Sequence, residues 1–434
     1  MILEQLNWTD LIKKVHLLLL GPTGAGKSAT FNHLLIQEMA NHKPRLVIVD
    51  AFNSYRLLLE YFRDKGLSTY RVELNAEAKV SLPPFVNACR LLDDQNVMNL
   101  FRSAEADASV SIAINQERGE NRCALLHELA TTAVLMITGG EKGEVARMTP
   151  EGICLIFCAI VRAAMKVRDA GQAHPLPQDV GMELIEMAMD PSLSSGRQAR
   201  AEDMGQAMMR SCPGLRGKLF NRPGQDWPDV DVTLVEMGTL LDDGYQDALA
   251  VAYASLMDMA QTRAERFQAE NRPLIFLTDH GQEIATNELL GNKINKATHL
   301  WPTLNMRFWL ATQNLRDLPY SITRVLRMSE YWTWILLGMC KIEIKDVLRF
   351  KSITPDLLQM IEAARKEAKK FMGVCCINDD QQFLFSNELP ALPIALAMTD
   401  VPGKAQRRRL MEQHGCTELQ AAFMIADQLS AQRG

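Results

Sequence analysis

Short apolar runs alternate with helix-like stretches over the first part of the chain. Continuous apolar residues at 15–20 and 45–50 predict strands that are buried on both faces, as in a parallel sheet. The alternating pattern of residues 68–74 predicts a third strand. Helices are predicted between these strands, over residues 27–40 and 54–65. Strands and helices in this order, with short connections, indicate a three-layer α/β unit.

The pattern becomes helical from about residue 84 to residue 228. Thr149, Pro150 and Glu151 indicate a helix start, because Thr is a favoured N-cap and Pro is favoured in the first turn. That helix is expected to run to about residue 170, with further helices at 121–138, 177–188 and 195–211. The Pro- and Gly-containing stretch 213–229 predicts a loop at the end of this region.

The α/β alternation then resumes. Strands are predicted at 230–238, 273–279, 306–312 and 331–337, a long helix at 246–271, and a late hairpin at 371–377 and 382–385. Thr354, Pro355 and Asp356 predict another helix start, and residues 404–432 predict two helices that break at Gly415. We therefore expect a mostly parallel α/β core at 1–83 and 230–400, an all-helical insertion at 84–229, and a helical tail at 401–434.

The composition is that of a globular protein, since 47% of the 434 residues are hydrophobic and 23% are charged. A net charge of -5 excludes a protein whose whole surface is basic and binds nucleic acid. It does not exclude a local basic patch. No apolar run approaches the ~20 residues that span a bilayer, and the first residues lack the pattern of a signal peptide. We expect a cytosolic protein whose nine scattered cysteines are reduced thiols.

One motif carries specific chemistry. It consists of Gly21, Pro22, Thr23, Gly24, Ala25, Gly26, Lys27 and Ser28, followed by Ala29, and matches G-x-x-x-x-G-K-[ST]. The glycines allow backbone N–H groups to surround a β-phosphate, the lysine neutralises the β- and γ-phosphates, and the serine hydroxyl suits Mg²⁺. Because a predicted strand precedes the motif and a helix follows it, we predict a P-loop that binds ATP and Mg²⁺.

Polar residues at the ends of other predicted strands are candidates for the same site. Asp279 ends an apolar strand and is the Walker B candidate for holding Mg²⁺. His280 follows it where many such motors have a water-activating Glu, and it either acts as a general base or marks the loss of that Glu. Glu283 could substitute if the chain turns there. Asp50 either orders a water or the metal or caps the next helix, and Gln313 either senses the γ-phosphate or ends a strand in a turn.

Four segments in this order resemble the TraC-type ATPases of conjugative type IV secretion systems, most closely those of integrating conjugative elements. They are HLLLLGPTGAGKSAT, LVIVDAFNSYRLL, PLIFLTDHG and FWLATQNLRDLP, and RFKSITPDLLQMIEAARKE and ALAMTDVPGKAQRRRLMEQHGC continue the likeness. The resemblance implies a RecA-like motor fold, a ring that is often hexameric, and ATP bound between subunits. It also implies work with other secretion-system subunits at the cytoplasmic face of the inner membrane, energising pilus assembly or DNA transfer.

The resemblance assigns site residues by position. Gly21, Gly24, Gly26, Lys27 and Ser28 would hold nucleotide and Mg²⁺, Asp279 would be the Walker B acid, and Gln313 would sense the γ-phosphate. The family usually reads Asp-Glu where this chain has Asp279-His280, and Arg-Lys where it has Pro302-Thr303.

The family also carries a large N-terminal domain before its ATPase. Here the first strand begins about fifteen residues in, so we expect a fragment or a split-gene product whose N-terminal domain is a separate chain. We predict ATP binding and keep two alternatives for turnover. One is a hydrolysing motor, and the other is a degenerate assembly module with little or no hydrolysis.

Three further groups each have two interpretations. Arg316, Arg324 and Arg327 are arginine-finger candidates or surface ion-pair residues. The basic run 404–409 is a contact for DNA or acidic lipid, or a solvated helix face. Aromatic residues near predicted strand edges are expected to pack in the core or between subunits; they are Trp301, Trp309, Trp332 and Trp334.

Overall fold

The structure is a computed structural model that describes residues 15–106, 124–224, 227–284, 287–328, 331–338, 341–355, 358–359, 366–367, 371–378 and 381–433. A single large sheet organises these residues. Its strands are β1 (His16–Leu20), β2 (Arg45–Asp50), β3 (Thr69–Glu73), β4 (Val232–Glu236), β5 (Leu274–Thr278), β6 (Met306–Thr312), β7 (Trp332–Leu337), β8 (Lys366–Glu367), β9 (Phe371–Asn378) and β10 (Gln381–Asn387).

The strand order is β10-β9-β7-β1-β6-β5-β2-β4-β3, and β8 pairs with β9. In the described part of the sheet, the seven strands from β7 to β3 are parallel. The late hairpin of β9 and β10 continues the sheet in antiparallel orientation beside β7. The predicted mostly parallel α/β sheet is therefore confirmed. β1 lies between β6 and β7, so the loop after β1 opens at the carboxyl edge of the central strands.

Helices cover both faces of this sheet. In chain order they are α1 (Lys27–Asn41), α2 (Arg56–Asp64), α3 (Gln95–Ala106), α4 (Ala124–Thr138), α5 (Lys142–Ala146), α6 (Pro150–Asp169), α7 (Pro177–Ala188), α8 (Ser195–Met209), α9 (Gly214–Phe220), α10 (Gln246–Arg266), α11 (Gly281–Ile284), α12 (Glu288–Leu300), α13 (Tyr320–Met328), α14 (Lys341–Val347), α15 (Ala391–Ala397), α16 (Val401–His414) and α17 (Glu418–Ala431). In the ranges that the structure describes, no helix combines the length and apolarity needed to cross a membrane.

Side chains of β1 alternate between the two faces of the sheet, which explains the three layers of the fold. Leu18 and Leu20 join the hydrophobic core on one face of the sheet, and Leu17 and Leu19 join the core on the other. The first core also contains Phe157 of α6, so the helices of the middle region pack on the sheet. The four tryptophans named above are fully buried, which confirms their predicted packing role. The boundary between core and insertion stays a prediction.

Two details of the elements differ from the prediction. The stretch 213–229 contains α9, although a loop was expected there. Leu219 and Phe220 are buried, and their packing stabilises this helix. Pro213 and the nearby glycines made the helix difficult to predict from the sequence. α12 and α13 were not predicted. The helix start at Thr354–Asp356 and the first residues of the helix expected at 121–138 lie partly outside the described residues.

Candidate functional site

The P-loop has the backbone shape that its sequence predicts. Gly24 and Gly26 have φ angles of 74° and 91°, a conformation that favours glycine. A Cβ on Gly21 would lie 2.8 Å from the backbone oxygen of Leu337 in β7, so the start of the loop also requires glycine. The loop joins β1 to the N-terminus of α1, where free N–H groups and the helix dipole favour an anion.

Lys27 is buried and lies inside this loop. Its Nζ donates hydrogen bonds to the backbone oxygens of Gly21 at 2.7 Å and Pro22 at 3.2 Å. Phosphate oxygens are stronger acceptors for an ammonium group than neutral carbonyls. The lysine is therefore positioned at the loop and can exchange these carbonyls for phosphate.

Asp279 is the centre of a buried polar cluster at the end of β5. Its side chain is 0% exposed, and its Oδ2 accepts hydrogen bonds from Ser28 Oγ at 2.9 Å and from Tyr55 Oη at 2.9 Å. Its Oδ1 accepts the backbone N–H of His280 at 2.9 Å. The structure thus brings together the two residues predicted to bind Mg²⁺, and both offer the oxygen ligands that this ion prefers.

Tyr55 is a site residue that the sequence analysis missed. Burial, followed by the negative charge of Asp279, raises the pKa of the Tyr55 hydroxyl, so it stays a hydrogen-bond donor. Tyr55 lies near the start of α2, after β2, and meets Asp279 because β2 pairs with β5. That strand order is not written in either segment, so no local sequence signal points to this contact.

Asp50 lies beside the cluster, and its hydrogen bonds favour one of its two predicted roles. Its Oδ1 accepts the backbone N–H of Phe52 at 3.2 Å, and its Oδ2 accepts that of Ser54. These bonds support capping of the turn that leads into α2. Burial, followed by the charge of Asp279, raises the pKa of Asp50 to about 7.

Gln313 connects the end of β6 to the P-loop. Its Oε1 accepts a hydrogen bond from Thr23 Oγ1 at 3.0 Å, and its backbone N–H donates to Gln282 Oε1 at 3.3 Å. Gln313 therefore lies where the γ-phosphate of a nucleotide in the P-loop would be in reach. Its sensing role stays a prediction. Gln282 was missed by the sequence analysis.

His280 and Glu283 differ in their environment. His280 has a φ of 57°, its ring contacts Phe52 edge-on at 4.6 Å between centroids, and its Nε2 lies 3.8 Å from Asp279 Oδ2. The chain does turn there, since the N–H of Glu283 donates to the His280 oxygen at 2.9 Å. The Glu283 side chain is exposed on α11, whereas Asp279 is buried.

The arginine candidates near the site have identifiable surroundings. Arg316 Nη2 lies 2.9 Å from Asp346 Oδ1, which supports the ion-pair interpretation within one chain. Arg324 is exposed on α13, and the side chain of Arg327 lies outside the described residues. Arg307, at the start of β6, pairs with Glu38 at 3.2 Å on the opposite edge of the sheet.

The basic run 404–409 is only partly a solvated helix face. Arg407 is buried, donates to the backbone oxygen of Met398, and lies 3.2 Å from Glu418. It ties α16 to α17 and to the residues after α15. Lys404, Arg408 and Arg409 are exposed, as expected for the solvated interpretation.

No protein-family model and no curated protein matches the chain. Among solved structures, VirB4 of Thermoanaerobacter pseudethanolicus matches with a TM-score of 0.60 and 14% identity, over 85% of this chain and 88% of that chain. The bacterial conjugative coupling protein TrwBdeltaN70 matches with a TM-score of 0.48 and 14% identity, over 90% of this chain and 81% of that chain. The similarity to VirB4 shows the fold alone, and this fold is the predicted RecA-like α/β core.

Proposed function

We propose that this chain is an ATP-binding motor subunit of a conjugative type IV secretion system, which energises pilus assembly or DNA transfer by ATP hydrolysis. The fold shared with VirB4 supports the proposal. The segments that resemble TraC-type ATPases support it independently, because they include the P-loop and the strand that ends in Asp279. Specialisation for an integrating conjugative element rests on that resemblance.

One observation carries the nucleotide part of the proposal, namely the 2.9 Å contact between Ser28 and Asp279. Ser28 lies in the first turn of α1 after β1, whereas Asp279 directly follows β5, and the two residues are 251 positions apart in the chain. When bound there, Mg²⁺ would neutralise charge on the β- and γ-phosphates. Ser28 would ligate the metal, Asp279 would hold it directly or through water, and Lys27 would pair with the phosphates.

The assembly part of the proposal follows from the family resemblance. We propose a homo-oligomeric ring of the hexameric type that the resemblance implies, at the cytoplasmic face of the inner membrane, held there by other secretion-system subunits. In such a ring, groups from a neighbouring subunit would complete the site. ATP turnover would then depend on protein concentration.

A second candidate function has its own support. His280 stands where the family has Glu, its ring packs against Phe52, and Glu283 is exposed. Asp50 is engaged by backbone N–H groups of its own turn. A site without a carboxylate to activate water would bind ATP without fast turnover, as in an assembly module that nucleotide stabilises.

One experiment distinguishes the motor from the assembly module. ATP turnover of the purified chain is measured in Mg²⁺ buffer at several protein concentrations, with Lys27→Ala as the inactive variant and the exposed Lys65→Ala as its control. A motor gives turnover that rises with concentration and disappears only in Lys27→Ala. ATP binding without turnover in the wild type contradicts the motor and favours the assembly module.

His280→Glu extends the test. If lack of the carboxylate is what limits turnover, this substitution raises turnover above that of the wild type, while the affinity for ADP changes little. If turnover falls, His280 itself contributes to the reaction.

A further inference from the structure

We propose that Gln282 recognises the terminal phosphate of the nucleotide, together with Gln313. This inference rests on the proposed ATP site and adds a residue that neither the P-loop motif nor the Walker B motif contains. Gln282 would hold Gln313 through its Oε1 and donate its Nε2 hydrogens to the γ-phosphate or to the water that attacks it. The chain would thereby distinguish ATP from ADP.

The position of Gln282 depends on the packing of α11 against β6. A Cβ on Gly281 would collide with Leu310 and lie 3.1 Å from the backbone oxygen of Ala311. Glycine at this position therefore allows α11 to lie directly on β6. That close approach places Gln282, three residues after Asp279, against the end of β6 where Gln313 begins the next loop.

The hydrogen bonds of Gln282 use only part of its amide. Its Oε1 accepts the backbone N–H of Gln313 at 3.3 Å, which fixes the orientation of the group. The side chain is buried, with 8% of the residue exposed, and its Nε2 has no hydrogen-bond partner among the residues that the structure describes. Buried amide donors are normally bonded, so an unused one beside a phosphate site suggests a ligand as its partner.

A short hydrogen-bonded path links this amide to the P-loop. Thr23 Oγ1 donates to Gln313 Oε1 at 3.0 Å, and the Gln313 backbone donates to Gln282. Phosphate oxygens are strong acceptors for amide N–H groups. A neutral amide can also orient an attacking water without taking its proton, as glutamine does in other P-loop NTPases.

The chemistry of Gln282 also differs from that of its neighbours. Asp279 is acidic and suits the metal, and Glu283 is exposed and would repel a phosphate. Gln282 is uncharged and can approach the γ-phosphate without a repulsive charge. Loss of this single donor is expected to weaken triphosphate binding about 10- to 100-fold, as for other hydrogen bonds to charged groups.

The test compares binding of ADP and of a non-hydrolysable ATP analogue, AMPPNP, to the full chain in Mg²⁺ buffer. The wild type is expected to bind AMPPNP more tightly than ADP, and Gln282→Ala is expected to lose that preference while ADP affinity stays within twofold. Gln198→Ala is the matched control, because its Nε2 donates to the Asp190 backbone oxygen at 2.7 Å in the helical region. It should behave as the wild type.

Gln282→Glu separates the two roles of the amide and keeps its size. The carboxylate can still accept the N–H of Gln313 but cannot donate to phosphate, so this variant should lose the preference at least as strongly. Retention of the preference in Gln282→Glu overturns the proposal, since the Nε2 donor would then have no role. If Gln282→Ala does not fold, judged by its ADP affinity and thermal unfolding, Gln282→Glu decides.

Turnover measured on the same proteins distinguishes the two proposals. A wild type that prefers AMPPNP but does not hydrolyse ATP, with the preference lost in both Gln282 variants, supports Gln282 and contradicts the motor. An active wild type whose turnover and preference both survive in Gln282→Ala contradicts Gln282 and leaves the motor intact. A wild type with no preference for AMPPNP overturns the role of Gln282.

Discussion

The amino edge of the sheet is defined here as the side where the parallel strands begin, and the carboxyl edge as the side where they end. Both edges carry buried polar side chains, but the hydrogen-bonding partners of these side chains differ. At the amino edge, His16 Nε2 lies 2.8 Å from the Thr298 oxygen, and its Nδ1 accepts the Phe308 N–H at 3.0 Å. At the carboxyl edge, Gln282 Nε2 and His280 Nδ1 are buried and have no partner among the described residues.

The charged groups repeat the contrast. Glu38 at the amino edge faces the guanidinium of Arg307 at 3.2 Å, and this contact needs no other molecule. At the carboxyl edge Lys27 donates to loop carbonyls, and Asp279 has hydroxyl and backbone donors around it instead of a cation. Unpaired buried atoms are present at both edges, since Trp332 Nε1 beside His16 also has no partner among the described residues. What distinguishes the carboxyl edge is that its unpaired atoms belong to residues that contact Asp279 and Gln313, next to the P-loop, where a ligand can satisfy them.

The largest expected effect comes from Asp279→Asn. The amide keeps the size of the side chain but removes the charge that would hold Mg²⁺, so ATP turnover should fall about 100-fold or more. Because the substitution also removes a buried charge beside Asp50, the unfolding temperature should stay equal or rise. Phosphate release and thermal unfolding measure the two effects.

Asp229→Asn is the matched control, since that carboxylate pairs with Arg45 at the amino edge. Its turnover should stay within about twofold of the wild type. Turnover equal to that of the wild type in Asp279→Asn would remove the functional distinction between the edges.

Arg307→Ala tests the amino edge and should act on stability alone. It leaves Glu38, which is 1% exposed, without its cation, and should lower the free energy of unfolding by about 2 kcal/mol. The affinity for ADP should not change. Urea unfolding and nucleotide titration measure these quantities, and Arg90→Ala, which removes an exposed arginine that pairs with Glu265, serves as the control. A selective loss of turnover in Arg307→Ala, with stability unchanged, would place Arg307 in the nucleotide site.

The two edges should also respond oppositely to pH. Burial lowers the pKa of His16 to about 4, so below pH 6.5 the unfolded chain takes up a proton that the folded chain does not. The contribution of His16 to stability therefore falls as the pH decreases from 6.5 towards 4. Burial and Asp279 raise the pKa of Asp50 to about 7, so the folded chain keeps a proton that the unfolded chain releases. The contribution of Asp50 falls as the pH rises from about 4 to 7.

His16→Gln and Asp50→Asn separate these contributions in urea unfolding at pH 4.5, 5.5 and 6.5. Relative to the wild type, His16→Gln should gain about 1 kcal/mol per pH unit as the pH is lowered. Asp50→Asn should gain a similar amount per unit as the pH is raised. If the differences from the wild type do not change with pH, the pKa values of His16 and Asp50 are the same in the folded and the unfolded chain.

The same contrast explains what the sequence could predict. The strands near the P-loop were predicted because β1 and β2 are buried on both faces and are therefore apolar throughout. Lys27 and Ser28 were predicted because their chemistry lies within one short motif. α9 was missed because Pro213 and neighbouring glycines masked a helix that is stabilised by burial of Leu219 and Phe220.

Other parts of the site depend on pairing between distant strands. Tyr55 and Asp279 are 224 positions apart, and Gln282 and Gln313 are 31 positions apart. Their contacts require β5 to lie between β2 and β6, an order that strand patterns do not specify. The same limitation applies to the unsatisfied amide of Gln282, because burial of a polar side chain is a property of the fold.

The smallest effect is expected from Glu283→Gln, which tests whether a position at the carboxyl edge is sufficient for a role in the site. Glu283 lies next to Gln282 on α11, but its side chain is exposed and already solvated. Glu283→Gln should therefore change ATP turnover and nucleotide affinity less than about twofold, as exposed substitutions usually do.

Paired with Gln282→Ala, this variant tests whether burial and an unused donor mark the functional residues, since the two positions are adjacent in sequence. A tenfold loss of turnover in Glu283→Gln would mean that α11 rearranges when nucleotide binds or the ring assembles, so that Glu283 replaces the missing Walker B glutamate. The distinction between the two edges would then depend on the assembled ring, because the contacts within one chain do not bring this carboxylate to Asp279. Measurement of Glu283→Gln at low and high protein concentration distinguishes these cases, since a role that needs the ring appears only at high concentration.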